Sequence, residues 1–292
     1  MTARLIDGNT LAENVRTSLK GRIADFRDKA GRAPKIAVII VGEDPASQIY
    51  VRLKRADCAE VGIDSLLHEL PAAMPRGELH NLLQHLNEDD SVDGILLQNP
   101  LPRGVNPIEA LEVIRADKDV DGFHPYNLGM LALRRPVLRC CTPKGVMQLI
   151  DSTDVPILGK RALIIGASNH VGRPMALELL LAGCTVTVAH RFTSHLKELV
   201  QGAEVLVTAS GQRGIVKGDW VRPGAIVIDI TIVRDKDGRL HGDVEFEEAK
   251  KRASWITPVP GGVGPMTRAA LLQNAVIAAE RRLASQMIES RN

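Results

Sequence analysis

The sequence predicts an α/β protein of two domains, and three observations support this fold class. Apolar runs of strand length alternate with amphipathic stretches along almost the whole chain, which is typical of βα units around a mainly parallel sheet. A chain of 292 residues is long for one domain, since a domain holds about 150 residues on average. The alternation also restarts near Thr142-Pro143, where we place the domain boundary.

The first predicted strand and helix have clear boundaries. Residues 35–41 (KIAVIIV) are apolar enough to form a buried strand of a parallel sheet. Asp44 then supplies an N-cap and Pro45 the first helical position, because the fixed φ of proline suits that place and its missing N–H is not needed there. Gly62 is the predicted end of this helix.

Further elements of the first domain follow from similar signals. Residues 93–98 are predicted to form a second strand, and Asn106-Pro107 begins another helix. Residues 117–129 are rich in Asp, Gly and Pro without a clear period, so we expect a long functional loop there. An earlier helix is indicated by leucines at helical spacing, namely Leu79, Leu82, Leu83 and Leu86.

The second predicted domain begins with a βαβ unit. Its strands are residues 161–165 and 185–189, and its helix is residues 171–182, which together have the expected length of about 30 residues. Two further strands and a final helix follow, namely residues 204–207, 225–229 and 269–283.

The turn between the first strand and the helix of this unit has features of a dinucleotide-binding turn. Gly166 permits a tight bend, and Gly172 allows close approach of strand and helix. The free backbone N–H groups at the start of the helix, where Arg173 lies, would attract a pyrophosphate. The spacing is G-x5-G rather than G-x-G-x-x-G, so an ordinary connection with turn glycines is the alternative. Gly166, Gly172 and Arg173 are therefore candidate cofactor-binding residues.

The end of the second strand of the unit indicates which dinucleotide is bound. A NAD site usually has Asp or Glu there for the ribose hydroxyls, whereas an arginine can bind the 2′-phosphate of NADP in a bidentate manner. Here His190-Arg191-Phe192-Thr193 follows the strand, with no acid. We therefore expect NADP, with Arg191 at its 2′-phosphate; the alternative is a solvated surface arginine.

Three polar residues share one face of the first predicted helix. Ser47, Tyr50 and Lys54 are separated by three and four residues, which places them side by side. A Tyr-x-x-x-Lys pair also occurs in short-chain dehydrogenases, but there the dinucleotide turn lies upstream of the pair. Here the pair precedes Gly166 by more than a hundred residues. A surface tyrosine beside a solvated lysine is the other alternative.

Other candidate residues lie where α/β sheets bind ligands or where the backbone is restrained. Gln98 lies at the carboxyl end of a buried strand. Asp121 lies within the predicted long loop, although loop carboxylates are more often turn formers or caps. In the segment 258–267, prolines fix φ and glycines let the backbone approach a ligand. Pro260 and Gly261 are therefore candidate substrate-binding residues, with a structural corner as the alternative.

Composition argues against several other classes of function. Lys+Arg 37 against Asp+Glu 35 leaves a net charge of +2, and aromatic residues make up 3%, which disfavours nucleic acid as a partner. The apolar stretches are far shorter than the ~20 residues of a membrane span, and no signal peptide is recognisable. We therefore expect a cytoplasmic protein without a membrane partner. The 8 histidines and 4 cysteines form no metal-binding motif, so no metal is expected.

Together these residues resemble the bifunctional methylenetetrahydrofolate dehydrogenase/cyclohydrolase family of the bacterial type. The resemblance covers nearly the whole chain, and its most specific segments occur in the order of the family. They are residues 41–51 (VGEDPASQIYV), 118–127 (KDVDGFHPYN), 172–176 (GRPMA) and 258–267 (PVPGGVGPMT).

The resemblance implies a fold and an activity. It implies two α/β domains with a cleft between them: a folate-binding catalytic domain of residues 1–141 with the C-terminal helix 269–292, and a Rossmann-like, doubly wound NADP-binding domain of residues 142–268. It also implies a homodimer that oxidises 5,10-methylenetetrahydrofolate to the methenyl cation with NADP+ and hydrolyses that cation to 10-formyltetrahydrofolate. An enzyme with only one of these activities and a non-catalytic NADP-binding module are the alternatives.

The resemblance also assigns roles to the candidate residues. Lys54 matches the catalytic lysine and Gln98 the glutamine beside it, while Tyr50 matches the tyrosine that packs on the folate and Asp121 the carboxylate that holds the pterin. The substrate-binding candidates are Ser47, Tyr50, Gln98, Asp121, Pro260 and Gly261. Cofactor-contacting positions of the family are matched by Gly166, Ala167, Ser168 and Ile232.

Some positions depart from the commoner pattern of the family. Ala167 replaces an arginine used near the 2′-phosphate, which shifts that role to Arg191. Asn99 and Cys140 stand where leucine and proline are usual, and Thr231 places a β-branched side chain beside the expected nicotinamide pocket. We expect these changes to tune the rates, above all that of the dehydrogenase, rather than to change the reaction.

Overall fold

The computed structural model describes residues 2–75, 77–235 and 237–289, and the chain divides into two units. We call Asn14–Cys141 with Arg268–Asn292 the three-stranded unit, and Met1–Glu13 with Thr142–Thr267 the six-stranded unit. The first 13 residues thus cluster with the second domain, whereas the sequence places them in the first. The cause is β-pairing, because Arg4–Leu5 lies parallel to Trp255–Ile256 in the larger sheet.

The described residues form strands and helices that alternate along most of the chain. In order, they are β1 (Arg4–Leu5), α1 (Gly8–Ala30), β2 (Lys35–Val41), α2 (Pro45–Val61), β3 (Asp64–Leu70), α3 (Glu78–Glu88), β4 (Gly94–Leu97), α4 (Pro107–Val113), α5 (Pro125–Ala132), α6 (Cys141–Asp151), β5 (Arg161–Ile165), α7 (Gly172–Leu181), β6 (Thr185–Ala189), α8 (Leu196–Gly202), β7 (Val205–Thr208), a 3₁₀ turn (Gly218–Trp220), β8 (Ile226–Asp229), β9 (Val233–Arg234), β10 (Leu240–His241), α9 (Phe246–Lys250), β11 (Trp255–Ile256) and α10 (Val263–Glu289).

The predicted signals at the ends of α2 are present. The Asp44 side chain accepts the Ser47 N–H at 2.7 Å, and Pro45 is the first helical residue. Gly62 ends the helix in the left-handed region, at φ +91°, which costs glycine little because it has no Cβ. Local sequence therefore sets both ends of the helix that carries Lys54.

Two stretches that the sequence predicts as a loop and as a turn region contain helical residues. The predicted loop 117–129 gives way to α5 at Pro125, because His124 caps the helix by accepting the Tyr126 N–H on its Nδ1 at 3.0 Å. The proline- and glycine-rich segment 258–267 gives way to α10 at Val263, six residues before the predicted start at 269. In both places some of the Pro and Gly residues that predict a turn lie in the first turns of a helix.

The three-stranded sheet is parallel, with the order β3-β2-β4. Its central strand β2 is buried on both faces. The side chains of Ile36, Val38 and Ile40 pack with α2 and α10, and those of the alternate residues pack with α3 and α4. Each such aliphatic side chain contributes about 1.5–3 kcal/mol relative to exposure to water. The carboxyl ends of β2 and β4 consequently lie at one well-anchored edge.

The six-stranded sheet is also parallel, with the order β1-β11-β8-β7-β5-β6. The chain runs from β5 outwards to β6 on one side and then to β7 and β8 on the other, so the order reverses between β5 and β7. This reversal is the switch point at which doubly wound sheets bind ligands. The predicted fold class, α/β with a Rossmann-like second sheet, is confirmed.

The described ranges contain no helix with both the length and the apolar character needed to cross a membrane. They also contain no group of three or more His, Cys, Asp or Glu side chains suited to hold a metal ion. The four cysteines, Cys58, Cys140, Cys141 and Cys184, all carry buried, reduced thiols.

Candidate active site

Lys54 and Gln98 meet at the carboxyl end of the three-stranded sheet. Lys54 Nζ donates a hydrogen bond of 3.1 Å to Gln98 Oε1. The backbone N–H of Gln98 donates to Ile39 O at 2.8 Å, which continues the β4–β2 pairing one residue beyond β4. Both side chains are half-buried, so the amine is held on a rigid base while part of its surface remains open to a ligand.

The backbone carbonyl of Asn99 accepts hydrogen bonds from Gln98 and Ser47. Gln98 Nε2 donates to Asn99 O at 2.6 Å, which leaves Oε1 as the atom that faces Lys54. The hydroxyl of Ser47, a residue only 4% exposed, also donates to Asn99 O at 3.5 Å. The structure therefore brings three predicted residues, Ser47, Lys54 and Gln98, into one hydrogen-bonded group.

Tyr50 lies one helical turn before Lys54 on α2. It is 45% exposed, so its ring is free to pack against a planar ligand. Asp121 lies in the turn that precedes α5 and is half-buried. Within the described part of the chain, its carboxylate makes no hydrogen bond to Lys54 or Gln98. Asp121 therefore belongs to the same unit as the lysine group without being joined to it by a direct contact.

The turn that presents Asp121 is organised by Asp119. The buried Asp119 carboxylate accepts the N–H groups of Gly122 at 3.1 Å and His124 at 2.8 Å, and Nδ2 of Asn127 at 3.0 Å. Burial raises the pKa of the Asp119 carboxyl to about 6, although these donors act in the opposite direction. Sequence reasoning selects Asp121 of this segment and does not identify Asp119.

The predicted dinucleotide turn follows β5. Gly166 has φ +120°, and a Cβ built on it would lie 2.3 Å from Ala209 O. A Cβ on Gly172 would lie 1.9 Å from Gly166 O. Only glycine fits at either position, so the backbone of the turn comes as close to its surroundings as a pyrophosphate site requires. The residues present thus fit a dinucleotide.

The first turn of α7 is held by its own side chains. Ser168 Oγ accepts the N–H groups of Val171 at 3.2 Å and Gly172 at 3.4 Å, which orders the start of the helix. Arg173 Nε donates to Ala167 O at 3.1 Å, so this guanidinium binds the turn itself. A role of Arg173 toward a phosphate remains a prediction.

Arg191 follows β6, the neighbour of β5, at the same edge of the six-stranded sheet. It is exposed, and its guanidinium lies 4.6 Å from the centre of the Phe192 ring. Thr193 Oγ1 accepts the His190 N–H at 2.9 Å and closes the turn that carries Arg191. No carboxylate follows β6 in this turn, so the geometry suits a phosphorylated ribose better than a free one.

Ile232, Pro260 and Gly261 line one narrow crevice of the six-stranded unit. Ile232 is 41% exposed, and its side chain lies 4.0 Å from the Cβ position of Gly264. Gly261 has φ +103°, and its carbonyl accepts the Gly8 N–H at 3.0 Å. The structure therefore brings a predicted cofactor residue together with both predicted substrate residues of segment 258–267.

The sequence does not identify Asp229 and Asp243, two buried carboxylates near the carboxyl edge of the six-stranded sheet. Asp229 is the last residue of β8, so the rule that selects Gln98 at a strand end could also have selected it. Asp243 lies outside the named strands and has no local signal. Burial raises the pKa of the Asp229 carboxyl to about 6, and the negative charge of Asp243 adds to that effect.

Both halves of the chain match one protein family. Residues 6–121 match the tetrahydrofolate dehydrogenase/cyclohydrolase catalytic domain, and residues 140–283 match the NAD(P)-binding domain of the same family. The two matches together cover most of the chain.

Solved structures of this family resemble the chain over nearly its full length. The bifunctional methylenetetrahydrofolate dehydrogenase/cyclohydrolase of Campylobacter jejuni is 46% identical, with a TM-score of 0.94 over 96% of this chain and 99% of that one. The Trypanosoma brucei enzyme, solved with NADP and an inhibitor, is 38% identical, with a TM-score of 0.92 over 96% and 98% of the two chains. The bifunctional enzyme of Thermoplasma acidophilum is 33% identical, with a TM-score of 0.89 over 96% and 99%. The chain belongs to the tetrahydrofolate dehydrogenase/cyclohydrolase family.

Proposed function

We propose that this chain carries out both reactions of its family with the Lys54 amine as the group that moves protons. The enzyme oxidises 5,10-methylenetetrahydrofolate to the 5,10-methenyl cation with NADP+ and hydrolyses the cation to 10-formyltetrahydrofolate. The observation that carries the role of Lys54 is its hydrogen bond of 3.1 Å to Gln98 at the carboxyl end of the sheet. Open α/β sheets bind their ligands at that edge.

The oxidation requires alignment rather than acid–base assistance. When the methylene carbon loses a hydride, the remaining cation is delocalised over the N5–C–N10 bridge, so no proton moves and no metal is needed. NADP+, when bound, supplies the hydride acceptor. The chain contributes position: the exposed ring of Tyr50 packs on the folate and the Asp121 carboxylate accepts N–H groups of the pterin. Correct alignment alone can lower such a barrier by several kcal/mol, up to about 7–11.

The hydrolysis requires protons to move. Water adds to the cationic carbon and loses a proton, after which N5 gains a proton, the C–N5 bond breaks and the hydroxyl loses its proton as the formyl C=O forms. One proton is released overall. Lys54 is the titratable group that takes the proton from water and returns one to N5. Gln98 does not titrate, and we assign to it the orientation of the amine through Oε1.

We assign NADP to the six-stranded unit and folate binding to the three-stranded unit. The glycines Gly166 and Gly172 keep open a cradle for the pyrophosphate. Arg191 binds the 2′-phosphate, since no carboxylate follows β6, and Ile232 contacts the nicotinamide half. These roles are supported by the position of each residue at the carboxyl edge of one parallel sheet.

The variant Lys54→Met tests the proposal, because it removes the amine and preserves the length of the side chain. Protein is mixed with methylenetetrahydrofolate and NADP+, and the methenyl absorbance is followed as it rises and then decays. We expect a loss of enzyme-dependent decay of at least a hundredfold in Lys54→Met. The exposed Lys20 of α1 provides the matched control, and Lys20→Met is expected to behave as the wild type.

The same assay separates the alternatives. A rise without enzyme-dependent decay in the wild type would indicate a dehydrogenase alone, decay of added methenyltetrahydrofolate without a rise would indicate a cyclohydrolase alone, and neither phase would indicate a binding module. Normal decay in a folded Lys54→Met variant would remove Lys54 from the mechanism. Circular dichroism of the variant establishes that it is folded.

We further propose that the enzyme works as a homodimer in the cytoplasm. Its cysteines are buried thiols, as expected in a reducing compartment. Strand β3 is at an edge of its sheet, and Leu66 on it is 45% exposed, a combination that natural proteins usually cover. Light scattering coupled to gel filtration tests the dimer, and a mass of one chain at micromolar concentration would contradict it.

A further inference from the structure

Two carboxylates with very little exposure lie beyond the carboxyl ends of β7 and β8. Asp229 is 4% exposed and Asp243 is not exposed at all. Among the described residues neither forms an ion pair with a cation, although buried carboxylates are usually paired in this way. Their hydrogen bonds, described next, therefore decide what they do.

Asp229 accepts four hydrogen bonds from three separate segments. Its Oδ1 accepts from Thr208 Oγ1 at 3.0 Å, from the Thr231 N–H at 3.2 Å and from the Asp243 N–H at 3.1 Å. Its Oδ2 accepts the Val244 N–H at 2.9 Å. One carboxylate thus joins the end of β7, the loop after β8 and the segment after β10.

The side chains of Asp243 and Thr231 accept hydrogen bonds from the backbone of the loop after β7, residues 209–212. Asp243 accepts the N–H groups of Ser210 at 2.6 Å and Gln212 at 2.9 Å, one on each oxygen. The residue between them, Gly211, donates its N–H to Thr231 Oγ1 at 3.2 Å. Three successive amides of this loop are therefore bound by two side chains, and the Thr231 side chain that departs from the family pattern supplies one acceptor.

The neighbouring backbone leaves room for this arrangement. A Cβ built on Gly242 would lie 2.0 Å from Asp229 Oδ2, so a side chain at this position would displace the carboxylate. The loop after β7 also lies against the dinucleotide turn, since a Cβ on Gly166 would lie 2.3 Å from Ala209 O. The carboxylates, the two loops and the turn form one closely packed structure.

We propose that Asp229 and Asp243 are positioning residues that set the loops 209–212 and 230–232 for the nicotinamide half of NADP, with Thr231 as the link between the two loops. This inference rests on the proposed function. Arg191, after β6, lies on one side of the switch point and suits the phosphorylated ribose of the adenosine half. The nicotinamide half then extends to the other side, toward β7 and β8. Ile232 follows Thr231 directly, so the hydrogen bonds of Thr231 restrain the backbone that carries the exposed Ile232 side chain.

The variants Asp229→Asn and Asp243→Asn test the proposal, because the amide keeps the size of the carboxylate and replaces one acceptor with a donor. We expect the Kd of NADP+ by calorimetry and the KM for NADP+ each to rise at least tenfold. Decay of added methenyltetrahydrofolate without NADP should stay within twofold of the wild type. Glu204→Gln is the control, since Glu204 also accepts a backbone N–H, from Arg161 at 3.1 Å, but at the amino edge of the sheet.

A milder pair of variants covers the case in which the Asn variants do not fold. Thr231→Val keeps the shape of the side chain and removes the acceptor for Gly211, whereas Thr231→Ser keeps the hydroxyl. We expect the KM and Kd for NADP+ to rise threefold to tenfold in Thr231→Val and to stay near the wild-type values in Thr231→Ser. Tryptophan fluorescence reports folding of this unit, because both tryptophans, Trp220 and Trp255, lie in it.

The outcomes are distinct. Equal NADP+ affinity in the wild type and in folded Asp229→Asn and Asp243→Asn would overturn the positioning role, as would identical values for Thr231→Val and Thr231→Ser. Equal losses of dehydrogenase and cyclohydrolase in the Asn variants would also overturn it, since they would indicate a general structural role. A wild type that binds NADP+ but oxidises no folate would instead contradict the proposed function.

Discussion

Lys54 Nζ donates a hydrogen bond of 3.1 Å to Gln98 Oε1, and the other end of the Gln98 amide donates to Asn99 O at 2.6 Å. A side chain without charge is thus held at both ends and presents one oxygen to an amine. A glutamate at position 98 would instead place a negative charge beside the amine and favour its protonated form. The neutral amide therefore orients the Lys54 amine without placing a charge beside it.

Gln98→Met should reduce cyclohydrolase turnover by about tenfold to a hundredfold, because the amine loses its orienting acceptor while remaining in place. The decay of added methenyltetrahydrofolate measures this effect. Gln84 is exposed on α3, and Gln84→Met is the matched control that should retain wild-type turnover. Full activity of Gln98→Met would show that the amine needs no partner at this position.

Arg191→Ala should raise the KM for NADP+ at least tenfold and leave the KM for NAD+ within about twofold. The physical reason is that a charged hydrogen bond to phosphate is worth about 1.5–3 kcal/mol, and NAD lacks that phosphate. The ratio of kcat/KM for the two cofactors measures the effect. A parallel rise for both cofactors would place Arg191 at a part of the dinucleotide that they share.

Gly172→Ala should destabilise the six-stranded unit by about 1–3 kcal/mol and weaken NADP+ binding, because its Cβ would lie 1.9 Å from Gly166 O. Gly21 of α1 is the matched control. A Cβ there has no neighbour within 4 Å, so Gly21→Ala should stabilise the protein by about 0.5–1 kcal/mol. Urea unfolding followed by tryptophan fluorescence measures the first change, and circular dichroism the second. Equal stabilities of the two variants would contradict the prediction.

Asp119→Asn should change how stability depends on pH. Burial raises the pKa of the Asp119 carboxyl from 3.8 to about 6 in the folded protein, so folding favours the protonated form. The stability that this group contributes is therefore present below pH 3.8 and is lost as the pH rises to about 6. The loss amounts to about 3 kcal/mol at most.

Urea unfolding, followed by circular dichroism at pH values from about 3.5 to 7, checks this prediction. This interval spans the titration of the Asp119 carboxyl in the unfolded and folded states. The wild type should lose stability relative to Asp119→Asn as the pH rises through this interval. Curves that stay parallel would show that the Asp119 carboxyl titrates normally.

Local sequence was enough to predict about half of the elements and several of the residues that meet at the candidate site. The apolar run of β2 and the cap and stop of α2 depend on residues next to one another in the chain, and they place Lys54. Gln98 was predictable because the end of a buried strand is recognisable from its own residues. The glycines of the dinucleotide turn were recognisable for the same reason.

The sequence by itself determined the fold class, the alternation of strands and helices, and the chemical character of the candidate residues, since these follow from short-range pattern and composition. Only the tertiary structure decided that β1 joins the larger sheet, because its partner β11 lies some 250 residues away. It also decided that Asp229 and Asp243 bind three segments at once. A carboxylate acquires such a role from donors that the chain brings together only when it folds, and no local pattern records them.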